Sequence, residues 1–150
     1  MCHENEKDIF GDVLTRTLDI INSVKGVYSI YDPANFIQCG EKADDTIKAL
    51  VKKAYYFHIK DVIEDTGELV PAGYGDGDLK GLVAQITGDK VLTIEPHLKV
   101  FDGYVVNDST VLKTKFKFES NVEAFDAAVG AIKKILFEAG YEGKDGVFLK

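Results

Sequence analysis

Four polar side chains in this sequence, Glu4, Asp32, His58 and Glu95, each stand at the end of a short apolar run, separated by 28, 26 and 37 residues. Three carboxylates and one imidazole brought to a single point would repel one another unless a cation lay between them. An oxygen-rich set with one nitrogen and no thiolate suits Mn²⁺, Mg²⁺ or Co²⁺, and is also compatible with Zn²⁺. Two glutamates beside such a cation could also move a proton, because each can serve as base and then as acid.

The elements that would bring these residues together follow from the pattern around them. Residues 27–31, 55–59 and 91–94 are β-rich runs of four or five residues ending at Asp32-Pro33, Lys60-Asp61 and Glu95-Pro96. Such short, continuous apolar runs are typical of buried parallel strands. A fourth strand is only a stub, residues 1–5. Between the runs lie helical spacings: Leu14, Leu18 and Ile21; Ile47, Leu50, Val51 and Ala54; Phe125, Val129, Ile132 and Leu136. Each set puts its apolar side chains on one helical face. Ser120 with Glu123 reads as a capping box for the last helix, Gly140 as its stop, and Asp78 as the N-cap of a short helix near 79–86. Alternation of this kind implies parallel strands with right-handed crossovers. The exception is 98–118, which reads as a hairpin inserted before the last helix, with strands at 104–106 and 111–118 around a turn at Asn107-Asp108-Ser109.

A (β/α)₈ barrel of ~250 residues spends about 31 residues on each unit. The spacing therefore puts Glu4, Asp32, His58 and Glu95 at equivalent places in successive units, at the C-terminal mouth where barrel active sites lie. Strand alternation agrees. With His58 inward, Tyr56 and Lys60 point inward too, and Phe57 and Ile59 face the helices. With Glu95 inward, Thr93 and Val91 follow, and Leu92 and Ile94 face out. The expected fold is α/β: half of a TIM barrel, about four parallel strands with helices plus the hairpin insertion, as one partial domain over 1–150.

Composition narrows the function. The chain carries 18 basic and 25 acidic residues, a net charge of -7. That balance argues against binding a phosphate backbone or an anionic membrane. No apolar run approaches the ~20 residues of a membrane span. The first residues have no apolar signal segment, and two cysteines, Cys2 and Cys39, make no disulfide framework. A cytoplasmic protein is the expectation.

Five strings resemble the sugar phosphate isomerase/epimerase family of the xylose isomerase-like TIM barrel superfamily. They are His3-Glu4-Asn5-Glu6-Lys7-Asp8-Ile9-Phe10-Gly11-Asp12, Asp32-Pro33-Ala34-Asn35-Phe36, Phe57-His58-Ile59-Lys60-Asp61, Pro71-Ala72-Gly73-Tyr74-Gly75-Asp76-Gly77-Asp78 and Thr93-Ile94-Glu95-Pro96-His97-Leu98. They run in family order over nearly the whole chain. The resemblance implies a divalent metal on Glu4, Asp32, His58 and Glu95, proton transfer by Glu4 and Glu95, and contacts to substrate or ligands from Asn35, Lys60 and His97. It implies the C-terminal half of the barrel, with Met1 inside the fifth strand. Four strands cannot close a barrel. The chain is therefore expected to form a homo-oligomer, or to pair with the missing half.

The expected function is a metal-dependent isomerase or epimerase of a sugar or polyol, working through an ene-diolate. A dehydratase on the same site is not separable from it by sequence. Two alternatives are an incomplete barrel fragment without activity and a metal phosphodiesterase like endonuclease IV, whose histidine-rich zinc cluster three histidines would hardly supply. Three other features have plainer readings. The glycine run 73–78 could cradle a phosphate on its N–H groups but reads better as a flexible loop. Lys113, Lys115 and Lys117, interleaved with Thr114, Phe116 and Phe118, read as a strand with a solvated lysine face. His3, out of phase with Glu4, reads as structural.

Overall fold

The computed structural model describes residues 1–99 and 115–150. Its elements are β1 (Cys2–Glu4), α1 (Leu14–Ser23), β2 (Tyr28–Tyr31), α2 (Pro33–Gln38), α3 (Ala43–Leu50), β3 (Ala54–Ile59), β4 (Asp61–Val62), β5 (Leu69–Val70), α4 (Leu79–Gln85), β6 (Val91–Ile94), α5 (Asn121–Glu138), β7 (Glu142–Lys144) and β8 (Val147–Leu149). β1, β2, β3 and β6 form one parallel sheet in that order, with β1 and β6 at its edges. The strand ladder, the helices between and the edge positions agree with the alternation read from the sequence.

The register fixes two faces. Glu4 pairs with Ile30, Ile30 with Tyr56, and Tyr56 with Val91; His58 pairs with Thr93. These residues share one face, which α1–α5 leave uncovered: Tyr28 is 56% exposed and Val91 39%. The other face is the core. Tyr31, Phe57 and Ile59 are buried there against Phe36, Ile47, Leu50, Leu79, Leu82, Val83, Ile132, Ile135 and Leu136. Burial of these large side chains at about 25 cal/mol per Å² is what holds the helices to the sheet.

Local signals act as their chemistry dictates. Ser120 Oγ accepts from Glu123 N at 3.1 Å, and Glu123 Oε2 returns to Glu119 N at 2.6 Å, one residue earlier than in a standard capping box. Gly140 takes φ +87° beyond α5. Asp78 caps α4 by accepting from Gly81 N.

Three features were not read from the sequence. Pro33–Gln38 is a helix in its own right: Asp32 is its N-cap, accepting from Asn35 N, and Pro33 holds its first position, where the missing N–H costs nothing. β4 and β5 form a small antiparallel ribbon, as do β7 and β8. The hairpin expected over 98–118 falls mostly on 100–114, outside the described residues; residues 115–118 make no ladder with any described strand. Among the described residues, no helix is long and apolar enough to cross a membrane.

Candidate metal centre

Each of the four strand ends delivers one side chain to the uncovered face. Glu4 ends β1, Asp32 and His58 lie at the ends of β2 and β3, and Glu95 follows β6. His58 Nδ1 lies 2.9 Å from Glu4 Oε1 and 2.8 Å from Glu95 Oε2. One ring nitrogen can carry only one proton, so it cannot donate to both carboxylates at once. Asp32 is fully buried, and Lys60 Nζ stands 2.9 Å from its Oδ2.

The remaining sequence-predicted residues gather around this group. Asn35 Nδ2 donates to Glu4 Oε1 across 3.4 Å. His97 Nε2 is 3.2 Å from Glu95 Oε1, and His97 takes the left-handed φ of +46°, which turns its ring back toward Glu95. Deeper on the same face, Thr93 Oγ1 donates to Tyr56 OH, and the Tyr56 ring meets His58 edge-on at 5.6 Å. The structure thus brings together all seven residues singled out from the sequence.

The donor set fits a divalent cation on two observations. One ligand atom from each of Glu4, Asp32, His58 and Glu95 lies within 4.8 Å of all the others. Donors placed ~2.0–2.4 Å from one ion stand at most about 4–4.8 Å apart. In addition, Asp32 Oδ2 and Glu95 Oε2 are buried and accept no well-directed hydrogen bond, despite the cations beside them. Buried carboxylate oxygens without such a bond are costly, and a cation is the partner that would satisfy them.

Without a metal, the group balances its charge with protons. The Glu4 and Glu95 carboxylates, both against Nδ1, push the His58 imidazole up to about 10, against burial. Burial works to raise Glu95, but His58, His97 and Lys60 outweigh it and hold its carboxyl well below the usual range. Burial pushes Asp32 up to about 6, with Lys60 opposing. Burial disfavours the Lys60 ammonium, but Asp32 and Glu95 outweigh it and hold its pKa above the ordinary lysine value.

A pH dependence follows. His58 is raised in the folded chain, so its protonation stabilises the metal-free fold fully below about pH 6.5, and this contribution is lost as pH rises through about 10. A cation taking the same Nδ1 must displace that proton. Binding at pH 7 is expected to release about one proton per ion, with affinity rising up to tenfold per pH unit toward pH 10. Calorimetry in two buffers of different ionisation enthalpy measures the proton count, and a count of zero would remove His58 from the coordinating set.

Two features sit apart from the centre. His3 points to the opposite face, its Nε2 buried with no hydrogen-bond partner among the described residues. It lies so close beneath Gly11, at φ +111°, that a Cβ there would stand 2.1 Å from it. The glycine run does make an anion cradle, but the anion belongs to the chain. Asp61 Oδ2 accepts from Gly73 N at 2.8 Å and Gly75 N at 3.0 Å, and Oδ1 from Gly77 N at 3.0 Å and Val62 N at 2.9 Å. A Cβ on Gly75 would meet Asp61 Oδ1 at 2.4 Å. The cradle is full, which leaves no place there for a phosphate.

Sequence reasoning missed two residues, Asp61 as the occupant of that cradle and Asn5. Asn5 is fully buried, and its side chain bonds both main-chain groups of Asp32. A polar residue at a position where alternation demands an apolar one was the available signal.

No protein-family model matches the chain, and no curated protein matches its sequence. Among solved structures, its fold is similar to that of the IolI protein determined with a zinc atom, at a TM-score of 0.61 and 17% identity, over 92% of this chain and 48% of that one. It is also similar to a xylose isomerase domain protein from Alicyclobacillus acidocaldarius (TM-score 0.52, 17% identity, 84% and 43% of the two chains). A third is AsbF of Bacillus anthracis, a probable 3-DHS dehydratase involved in petrobactin synthesis (TM-score 0.53, 16% identity, 61% and 41%). The chain spans less than half the length of each of these proteins. What the likeness establishes is architecture: four parallel strands with their helices, arranged as in part of a xylose isomerase-like TIM barrel.

Proposed function

We propose that this chain carries the metal centre of a sugar or polyol isomerase or epimerase, with Glu4, Asp32, His58 and Glu95 holding one divalent cation. The observation that carries the reading is the convergence of one ligand atom from each of these four side chains within 4.8 Å. A cation bound there would polarise a substrate carbonyl. Glu4 and Glu95 stand on either side of His58, as two carboxylates must to act on two faces of a substrate carbon. One takes the proton from the carbon next to the carbonyl, leaving an ene-diolate. For epimerisation the other returns a proton to the same carbon from the opposite face; for isomerisation the carboxylate that took the proton delivers it to the former carbonyl carbon, while the neighbouring hydroxyl proton passes to the former carbonyl oxygen. Lys60, Asn35 and His97 supply donors to substrate oxygens and hold the carboxylates in place. Mn²⁺, Mg²⁺ or Co²⁺ suit the oxygen-rich set; the zinc atom of the IolI structure keeps Zn²⁺ among the ions to try.

Hydrogen exchange tests the chemistry. A panel of ketoses and inososes is incubated in D₂O with the chain and each ion, and followed by proton NMR. Deuterium entering the carbon next to the carbonyl, without added nicotinamide, is the expected result. Loss of water from the substrate would redirect the reading to a dehydratase, as the AsbF similarity suggests. An ion bound with no exchange in any substrate would sink it.

The reading extends to assembly. Among the described residues, β1 and β6 each have one unpaired edge and no helix lies over the face that carries Glu4 and Glu95, whose side chains are 25% and 33% exposed. Unpaired edges and an exposed face with Tyr28 and Val91 favour association. We propose that a second copy of the chain covers this face and completes the pocket. Sedimentation is expected to give a dimer at micromolar concentration; a stable monomer that still exchanges deuterium would contradict it.

A further inference from the structure

Beyond the ligands themselves, the structure assigns a positioning role to Asn5, which sets the separation of Glu4 and Asp32 and, through it, the affinity of the centre. The inference rests on the metal reading above. β1 ends at Glu4, whose register partner is Ile30. Past that point no main-chain ladder joins β1 to β2. The Asn5 amide replaces it: Nδ2 donates to the Asp32 carbonyl and the Asp32 N–H donates to Asn5 Oδ1, both at 2.8 Å. The clasp holds the peptide groups on either side of the Asp32 Cα and so fixes where its Cβ projects from, while Asn35 N and Lys60 Nζ hold the carboxylate itself.

The same clasp lies one peptide from Glu4. Glu4 and Asp32 are therefore linked through a short, rigid path of Glu4 backbone, Asn5 amide and Asp32 backbone. The other link between the two, Asn35, is weaker. Its N–H engages Asp32 Oδ1 at 2.9 Å, but its Nδ2 reaches Glu4 Oε1 only at 3.4 Å. Asn35 N holds Oδ1 and Lys60 Nζ stands 2.9 Å from Oδ2, so the carboxylate that the clasp positions is oriented by these two groups.

Chemistry explains why asparagine stands here. The site needs one donor and one acceptor, planar and close to the backbone, and only the Asn side chain offers both at that length. Aspartate would keep the acceptor for Asp32 N–H but face the Asp32 carbonyl with a second oxygen. Asn5 is also completely buried on the helix-covered side, where an apolar residue would pack at no desolvation cost.

The test compares the full chain with Asn5→Asp, and with Thr46→Ala as a control. Thr46 is equally buried and loses a hydrogen bond to Tyr31 OH, whose ring lies in the core on the face opposite the ligands. Affinity for Zn²⁺ is read by competition with a chromophoric chelator, and coordination by the visible absorption of bound Co²⁺. Asn5→Asp is expected to weaken zinc binding about 10- to 100-fold and to alter the cobalt spectrum. Thr46→Ala should lower the melting temperature while leaving both readouts as in the parent. Equal affinity for Asn5→Asp and the parent overturns the inference and leaves the metal reading standing. Failure of the parent to bind either ion overturns both. Should Asn5→Asp not fold, amide exchange in the parent decides: zinc is expected to protect the Asp32 amide by a larger factor than the Phe57 amide, and equal factors overturn the inference.

Discussion

Glu95→Gln and Glu4→Gln are each expected to lower deuterium exchange into substrate by about 10²–10⁴-fold at saturating metal, the range general acid–base groups contribute. Glutamine keeps the volume and one oxygen but cannot take a proton. The assay must be run at saturation because both side chains are also proposed ligands. Glu95 touches His58 Nδ1 and His97 Nε2, and Glu4 touches His58 Nδ1 and Asn35 Nδ2, so each substitution also loosens the centre. Titrating metal separates the two effects. If exchange returns to within tenfold of the parent once the centre is filled, the glutamate is a ligand alone and the proton moves elsewhere. For an epimerase the two variants should differ by substrate: each blocks removal of the proton from one face while the other face still exchanges slowly.

Asp61→Ala is expected to destabilise the chain by roughly 3 kcal/mol or more. The carboxylate serves four backbone donors, those of Val62, Gly73, Gly75 and Gly77. The bonds from Val62 and Gly77 are buried and those from Gly73 and Gly75 part-buried; each buried donor left without a partner costs about 1–3 kcal/mol, and water would serve the other two in part. A domain of this size holds about 5–15 kcal/mol in total, so the loss would be a large fraction of it. Asp61→Asn keeps one acceptor oxygen and turns an amide toward the other donors, and should fall between. Urea unfolding followed by circular dichroism gives the numbers. A change below about 1 kcal/mol for Asp61→Ala would mean that solvent replaces the carboxylate without penalty.

The convergence of Glu4, Asp32, His58 and Glu95 was legible because each ends an apolar run and the runs recur at the spacing of βα units. Parity along β3 and β6 then assigned Tyr56, Lys60 and Thr93 to the same side as His58 and Glu95, as the register shows. α2 was not legible, since Asp32-Pro33 marks a strand end and a helix start equally well. One residue serves both, because its β-region backbone ends the strand while its side chain caps the helix. The glycine run was read as a flexible loop, with a phosphate cradle as the lesser alternative; the structure closes it on Asp61 instead. Only the fold brings Asp61 against loop residues 12–16 positions later, and no local pattern announces that an aspartate beside a strand will turn into a nest. Asn5 was missed because alternation was applied to the inward positions and not to the polar exception among the outward ones. The small ribbons β4–β5 and β7–β8 are two or three residues long, too short for periodicity to register.

Neighbouring strands stand ~4.8 Å apart, so three intervals from β1 to β6 would put those strands roughly 14 Å apart in a flat sheet. Yet a Glu4 oxygen and a Glu95 oxygen, one following each edge, approach within 4.8 Å. Side chains of that length can meet only over a concave surface. The centre is thus a gauge of curvature: flattening the sheet draws Glu4 and Glu95 apart first, while Asp32 and His58, on adjacent inner strands, hardly move. An ion shared by the two edges, as proposed, would act as a drawstring across some 90 residues of chain, favouring the bent sheet over the flat one. A second copy seated on that face, as proposed, would meet the same bend, so metal binding and association would favour one another.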